Sequence, residues 1–239
     1  MSMELLTTFH LLTLIVSAFL CRFPFLNFPL DDDFAIYTYR ARFAKKGFRW
    51  KDDLQIIGIP MWKMMLFDKL FASSDKGHLR IRHLQTLFHA AACLAIYWVV
   101  LVITQNQWAA LTGGLLYSFY GTSPDLTAGS FNFEQFYIPF IFAGLAFLLN
   151  GEVFYAGLCF GFAVIGKCTM IIYGGVLTPI VWISYGETPA LIFVFATSVV
   201  ILLSNSIEWA LGFWDAQSIK QTKTRMATTM RITKTKSLH

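Results

Sequence analysis

Long apolar runs alternate with short polar connections along most of this chain. Runs at 5–25, 83–103, 108–120, 133–149, 153–165, 169–185 and 189–211 carry almost no charge. A lipid bilayer offers the backbone no hydrogen-bond partners, so a segment of about 20 apolar residues crosses it as a helix. The pattern predicts an all-α membrane protein with about seven transmembrane helices. The third and fifth runs are short, which leaves six or eight spans open. The first run opens on Glu4 rather than on a basic cluster, and no small-residue cleavage site follows "FLCRFPFL". It reads as a retained first helix rather than as a signal peptide.

Composition agrees. Of 239 residues, 56% are hydrophobic and only 14% charged, against about a quarter charged in ordinary soluble domains. The mean hydropathy of +0.57 places the chain in a cell membrane as a multi-pass protein. Cys21, Cys93, Cys159 and Cys168 lie within or at the ends of the runs. Their spacing suggests neither a disulfide framework nor a zinc site, and packing is the expected role.

Charge falls into two blocks. Twelve of the 19 Lys and Arg residues lie between Arg22 and Arg82, six lie from Lys220 onward, and Lys167 stands alone between them. The first block, residues 22–82, is the first loop and also contains seven aspartates. It includes two amphipathic stretches expected to lie as helices on the membrane surface, 33–46 ("DFAIYTYRARFAKK") and 60–72 ("PMWKMMLFDKLFA"). Residues 213–239 form a basic polar tail, exposed or partner-bound. With six spans between them, first loop and tail share one side. Positive-inside reasoning would make that side cytoplasmic. A basic surface facing lipid phosphates gives the same bias, so charge alone leaves sidedness open.

Three polar segments open on that shared side. "LDDDFAIY" (30–37) sets Asp31, Asp32 and Asp33 directly after the first helix. Adjacent carboxylates raise one another's pKa, which suits a base, while Asp31 or Asp32 also suits a helix N-cap. "SPDLTAGSFNFEQFY" (123–137) carries Asp125 and Glu134, readable as a turn and first-turn dipole partner or as part of a site. "GFAVIGKCTMIIYGG" (161–175) holds Lys167, an ammonium that snorkels to the surface or binds a lipid phosphate. The phosphate role is favoured by the company of both acidic segments. His78, His83 and His89 flank the second run, where an interfacial or packing role is expected. No glycine-rich phosphate loop, metal-spaced histidine pair or Ser-His-Asp arrangement is visible.

Taken together, "DFAIYTYRARFAKKGFRWKDD", "GSFNFEQFYIPFIFAGLAFLL" and "GLCFGFAVIGKCTMIIYGG" resemble, in order and spacing, integral-membrane glycosyltransferases of the GT-C type. That group contains the protein O-mannosyltransferases and aminoarabinose transferases. The resemblance covers roughly residues 5–215, the amino-terminal module 1–212 of such enzymes, and relatives continue for hundreds of residues further. It implies a polyprenyl-phosphate sugar as donor substrate, with no cofactor or metal required. By position it makes Asp33 the catalytic carboxylate, with Asp32 the alternative, and Glu134 its companion. Lys167 and Arg40 would hold the donor phosphate, and Asn132 and Asp125 would position acceptor or sugar. The expected partners are membrane lipids, the polyprenyl-phosphate lipid and other membrane subunits, with no nucleic acid. Two departures stand out. Phe34 follows Asp33 where relatives often carry an acidic residue, and "IIGIPMWK" replaces a Lys-Pro-Pro segment. They leave a second expectation, an inactive relative serving as a structural subunit of a larger membrane complex. A small transporter is disfavoured, because the runs carry few charges and no evident inverted repeat.

Overall fold

The computed structural model describes residues 3–26, 77–122, 134–166 and 168–210. These residues form helices joined by short corners, without a strand among them. The helices are α1 (Met3–Arg22), α2 (Gly77–Thr104), α3 (Gln107–Tyr120), α4 (Glu134–Leu149), α5 (Val153–Gly166), α6 (Ile171–Tyr185) and α7 (Glu187–Ala210), with 3-10 turns at Phe23–Phe25 and Cys168–Met170. One helix stands on each predicted apolar run. Segments Glu4–Phe25, Leu79–Thr104 and Glu187–Ile207 are long and apolar enough to cross a membrane. The amphipathic stretches of the first loop and the basic tail lie outside the described residues.

α2 starts six residues before its apolar run, so His78, His83 and His89 sit within the helix rather than flanking it. The α2–α3 corner is short because Asn106 caps α3: its side-chain oxygen accepts from the backbone N–H groups of Trp108 and Ala109 at 2.9 and 3.2 Å. At the α6–α7 corner, Gly186 takes φ +95°, a conformation open to glycine and strained for other residues.

α1 packs on α2 and α3, α2 also on α4, α4 on α5, α5 on α7, and α6 chiefly on α7. Side chains define two ends of this bundle. At one, Leu148, Val153, Val181 and Ala190 share a cluster, and the Tyr185 hydroxyl donates to the Leu148 carbonyl at 2.7 Å. At the other, Tyr137, Ala163, Val164 and Met170 pack together with Ile201. The helices therefore run alternately up and down.

The outside is apolar. Ile183 is 86% exposed, and Ile172, Trp182, Leu191, Phe195, Leu202 and Leu203 are all more than half exposed, far more apolar surface than a water-soluble bundle presents. Against lipid, apolar burial does little to drive helices together, and close approach of backbones takes its place. Gly157 and Gly161 supply that approach between α5 and α7: a Cβ on Gly157 would lie 2.6 Å from the Phe193 carbonyl oxygen, and one on Gly161 would lie 2.7 Å from Val200 Cβ. The Thr197 hydroxyl crosses the same seam to the Gly157 carbonyl at 3.0 Å. Gly175 in α6 has open space around it. Gly175→Ala is therefore expected to raise stability by about 0.5–1 kcal/mol through backbone entropy alone, measured as an increase in Tm in mild detergent.

Candidate functional site

The second bundle end collects polar groups that an apolar helix would ordinarily avoid. α1 finishes on Arg22, and the first turns of α2 carry Arg82, Gln85, Thr86 and His89. On a helix, positions 82, 86, 89 and 93 fall on one stripe, and this stripe faces inward: Arg82, Thr86, His89 and Cys93 are all buried. α3 contributes Ser118, the turn after it Thr122, and α4 Gln135, all buried as well.

Arg22 is 3% exposed, and its Nη2 donates to Gln135 Oε1 at 2.9 Å across 113 residues of sequence. Arg82 Nη1 donates to Gln85 Oε1 at 3.2 Å, the Thr86 hydroxyl donates to the Arg82 carbonyl at 2.8 Å, and Arg82 and Gln135 make further interactions beyond these. Arg22 lies within electrostatic reach of both Arg82 and His89. Arg22 Nε and Gln85 Nε2 are among the donors buried here without a hydrogen-bond partner in the protein.

The floor of the cluster is tightly built. His89 Nε2 meets the Ser118 carbonyl at 3.2 Å, and its ring stacks on Tyr117 with centroids 5.3 Å apart. The Ser17 and Ser118 hydroxyls bond at 2.9 Å, joining α1 to α3. A Cβ on Gly121 would fall 2.9 Å from His89 Cε1, so the α3 terminus closes over the imidazole without a side chain between them.

Among the described side chains, acidic groups stand apart from the Arg22–Arg82 pair. The acidic residues whose side chains are described, Glu4, Glu152 and Glu187, stand at the start of α1, the α4–α5 corner and the start of α7, all at the end away from Arg22. Two guanidinium groups in a low-dielectric surround gain strongly from an anion. The arrangement is suited to holding a negative group that arrives between α1, α2 and α4.

Asp31, Asp32, Asp33, Arg40, Asp125, Asn132 and Lys167 lie outside the described residues, as does the side chain of Glu134. The helix ends that flank them are described, and these converge. α1 leads into the aspartate segment, α4 opens on Glu134 immediately before Gln135, and α5 stops at Gly166, where a Cβ would lie 2.7 Å from Tyr137 Cβ. The three polar segments thus leave from one end of the bundle. Arg22, Arg82, Gln85 and Gln135 had no place among the residues singled out from sequence. Among the described residues no group of three His, Cys, Asp or Glu side chains converges.

Comparison of the chain with family models, with curated proteins and with solved structures gives no match.

Proposed function

We propose that the chain is a seven-span GT-C type module of the cytoplasmic membrane that moves a sugar from a polyprenyl-phosphate donor to an acceptor hydroxyl at the outer face. The observation that carries this reading is the Arg22–Gln135 hydrogen bond at 2.9 Å. It ties the helix leading to Asp33 against the helix opening on Glu134, beside a second buried guanidinium. A base and a phosphate-binding group must lie within one donor's length of each other for this chemistry, and those helix ends meet.

In the reaction, the acceptor oxygen attacks C1 of the sugar while its proton passes to the Asp33 carboxylate, with Asp32 as the alternative base. The bond between C1 and the phosphate oxygen breaks, and polyprenyl phosphate leaves with the electron pair. Lys167, Arg40 and the Arg22–Arg82 pair have the role of stabilising the charge that grows on that phosphate. Glu134, Asn132 and Asp125 orient acceptor or sugar. The polyprenyl chain stays in the lipid.

Purification of the chain from its native membrane in mild detergent, with mass spectrometry of bound lipids and proteins, tests this. Recovery with a polyprenyl-phosphate lipid, followed by transfer of a labelled sugar from such a donor, supports the transferase. Stoichiometric recovery with other membrane proteins and no lipid phosphate favours a structural subunit derived from a transferase. Arg22→Met is expected to weaken retention of the lipid phosphate roughly tenfold or more, the worth of one hydrogen bond to a charged group. Its Tm should move little, since relief of repulsion from Arg82 offsets the lost bond to Gln135.

A further inference from the structure

A different set of unsatisfied polar groups sits at the opposite end of the bundle, where α1 meets the α2–α3 hairpin. His10 of α1 is fully buried and Tyr97 of α2 is 3% exposed. His10 meets Trp108 edge-on at a centroid distance of 4.8 Å and Tyr97 at 6.3 Å. One turn away, Gln107 Nε2 donates to Thr7 Oγ1 at 3.2 Å.

Four polar atoms where these three helices meet have no hydrogen-bond partner in the protein: His10 Nδ1, His10 Nε2, the Tyr97 hydroxyl and Gln107 Oε1. They come from three helices, which rules out a defect local to one of them. Buried polar atoms in folded proteins are almost always paired, and a paired water is the usual solution where the chain offers none. The combination is also complementary. The hydroxyl both donates and accepts, the amide oxygen only accepts, and the imidazole presents nitrogens on two sides.

The occupant has to be small. His10 is closed off from the exterior, and α1 and α3 are in tight contact just beyond it, where a Cβ on Gly114 would lie 2.7 Å from Leu14 Cδ2. A headgroup or an acyl chain would have to prise α1 from α3 to enter. For a metal ion, no group of three His, Cys, Asp or Glu side chains converges here among the described residues.

We propose that His10, Tyr97 and Gln107 hold ordered water on both sides of the imidazole, forming a hydrated joint that fastens α1 to the α2–α3 hairpin. This joint is independent of the Arg22 site and of the transferase reading. Its role is positional: it fixes the far end of α1, the helix whose near end carries Arg22.

A double-mutant cycle tests it. Thermal unfolding of the full chain in mild detergent is measured for wild type, His10→Leu, Tyr97→Phe and the double variant. Tyr97→Phe keeps the ring and removes only the hydroxyl, so it reads hydrogen bonding and leaves packing intact. With bridging water, each single variant lowers Tm by about 2–4 °C, and the double loses clearly less than the sum, because either change already breaks the shared network. If the polar atoms are simply orphaned, removing the hydroxyl relieves a desolvation penalty. Tm of Tyr97→Phe then rises or holds, which overturns the proposal. Strict additivity of the two changes overturns it as well.

Discussion

Asp33→Asn is expected to lower sugar transfer by at least about 100-fold and by as much as about 10,000-fold, the span that general-base catalysis contributes. Asparagine matches aspartate in shape and still accepts a hydrogen bond, yet it takes up no proton from the acceptor hydroxyl. The substitution therefore separates chemistry from folding. Its Tm and its retention of the polyprenyl-phosphate donor should match wild type, because the proposed function assigns the phosphate to Lys167, Arg40 and the Arg22 end rather than to the base. The measurement is the initial rate of labelled-sugar transfer as a function of pH. Wild type should gain rate as the carboxylate ionises, while the variant stays low and flat. Full activity in a folded Asp33→Asn chain would sink the assignment. Loss in Asp32→Asn with Asp33→Asn intact would move the base by one residue.

The largest effect on stability is expected at the α5–α7 seam. In an exposed helix Gly→Ala ordinarily stabilises, by about 0.5–1 kcal/mol. At Gly157 the sign reverses. An added Cβ would stand 2.6 Å from the Phe193 carbonyl oxygen and 2.8 Å from Ala196 Cβ, and backbone atoms do not give way as a flexible side chain does. Gly157→Ala should cost about 1–3 kcal/mol, the range for an overpacked core, and Gly157→Leu more than that, as the helices separate. Separation would also break the 3.0 Å bond from Thr197 to the Gly157 carbonyl. It would further loosen the edge-on pair of Phe160 and Phe193, whose centroids are 5.7 Å apart. The check is Tm in detergent beside Gly175→Ala: a fall at 157 with a rise at 175 identifies backbone contact as the cause, and equal responses would refute it.

The helices were legible because their signal is local. Each apolar run is bounded by residues that stop or start a helix, such as Asn106 before α3 and Gly186 before α7. The beginning of α2 was not legible in this way, since Arg80 and Arg82 interrupt the apolar run although the helix continues through them. The same charges hid the Arg22 cluster. Counted along the chain, Arg22 and Arg82 belong to a basic loop; folded, both are buried. A partner 113 residues away leaves no mark in a window of sequence. One clue was present: polar residues at 82, 85, 86 and 89 share a helical face that otherwise runs into apolar sequence. The glycines at 157 and 161 were a second clue, a four-residue spacing of small side chains that lets backbones meet. Spacing predicted that the aspartate segment, the Glu134 segment and Lys167 share one side. The convergence of their flanking helix ends is what supports a common site.

The reach of the Arg22–Gln135 bond bears on how the protein is made. Arg22 emerges from the ribosome 113 residues ahead of its acceptor, and chains grow at about 5–20 residues per second. For roughly 6–23 seconds the guanidinium is already synthesised while its acceptor is not. It precedes α2 and α3 in the chain and stays without this acceptor until the start of α4 has been made. The Arg22–Gln135 bond can therefore form only once the first turn of α4 has been made, so the Arg22 end is completed late rather than early.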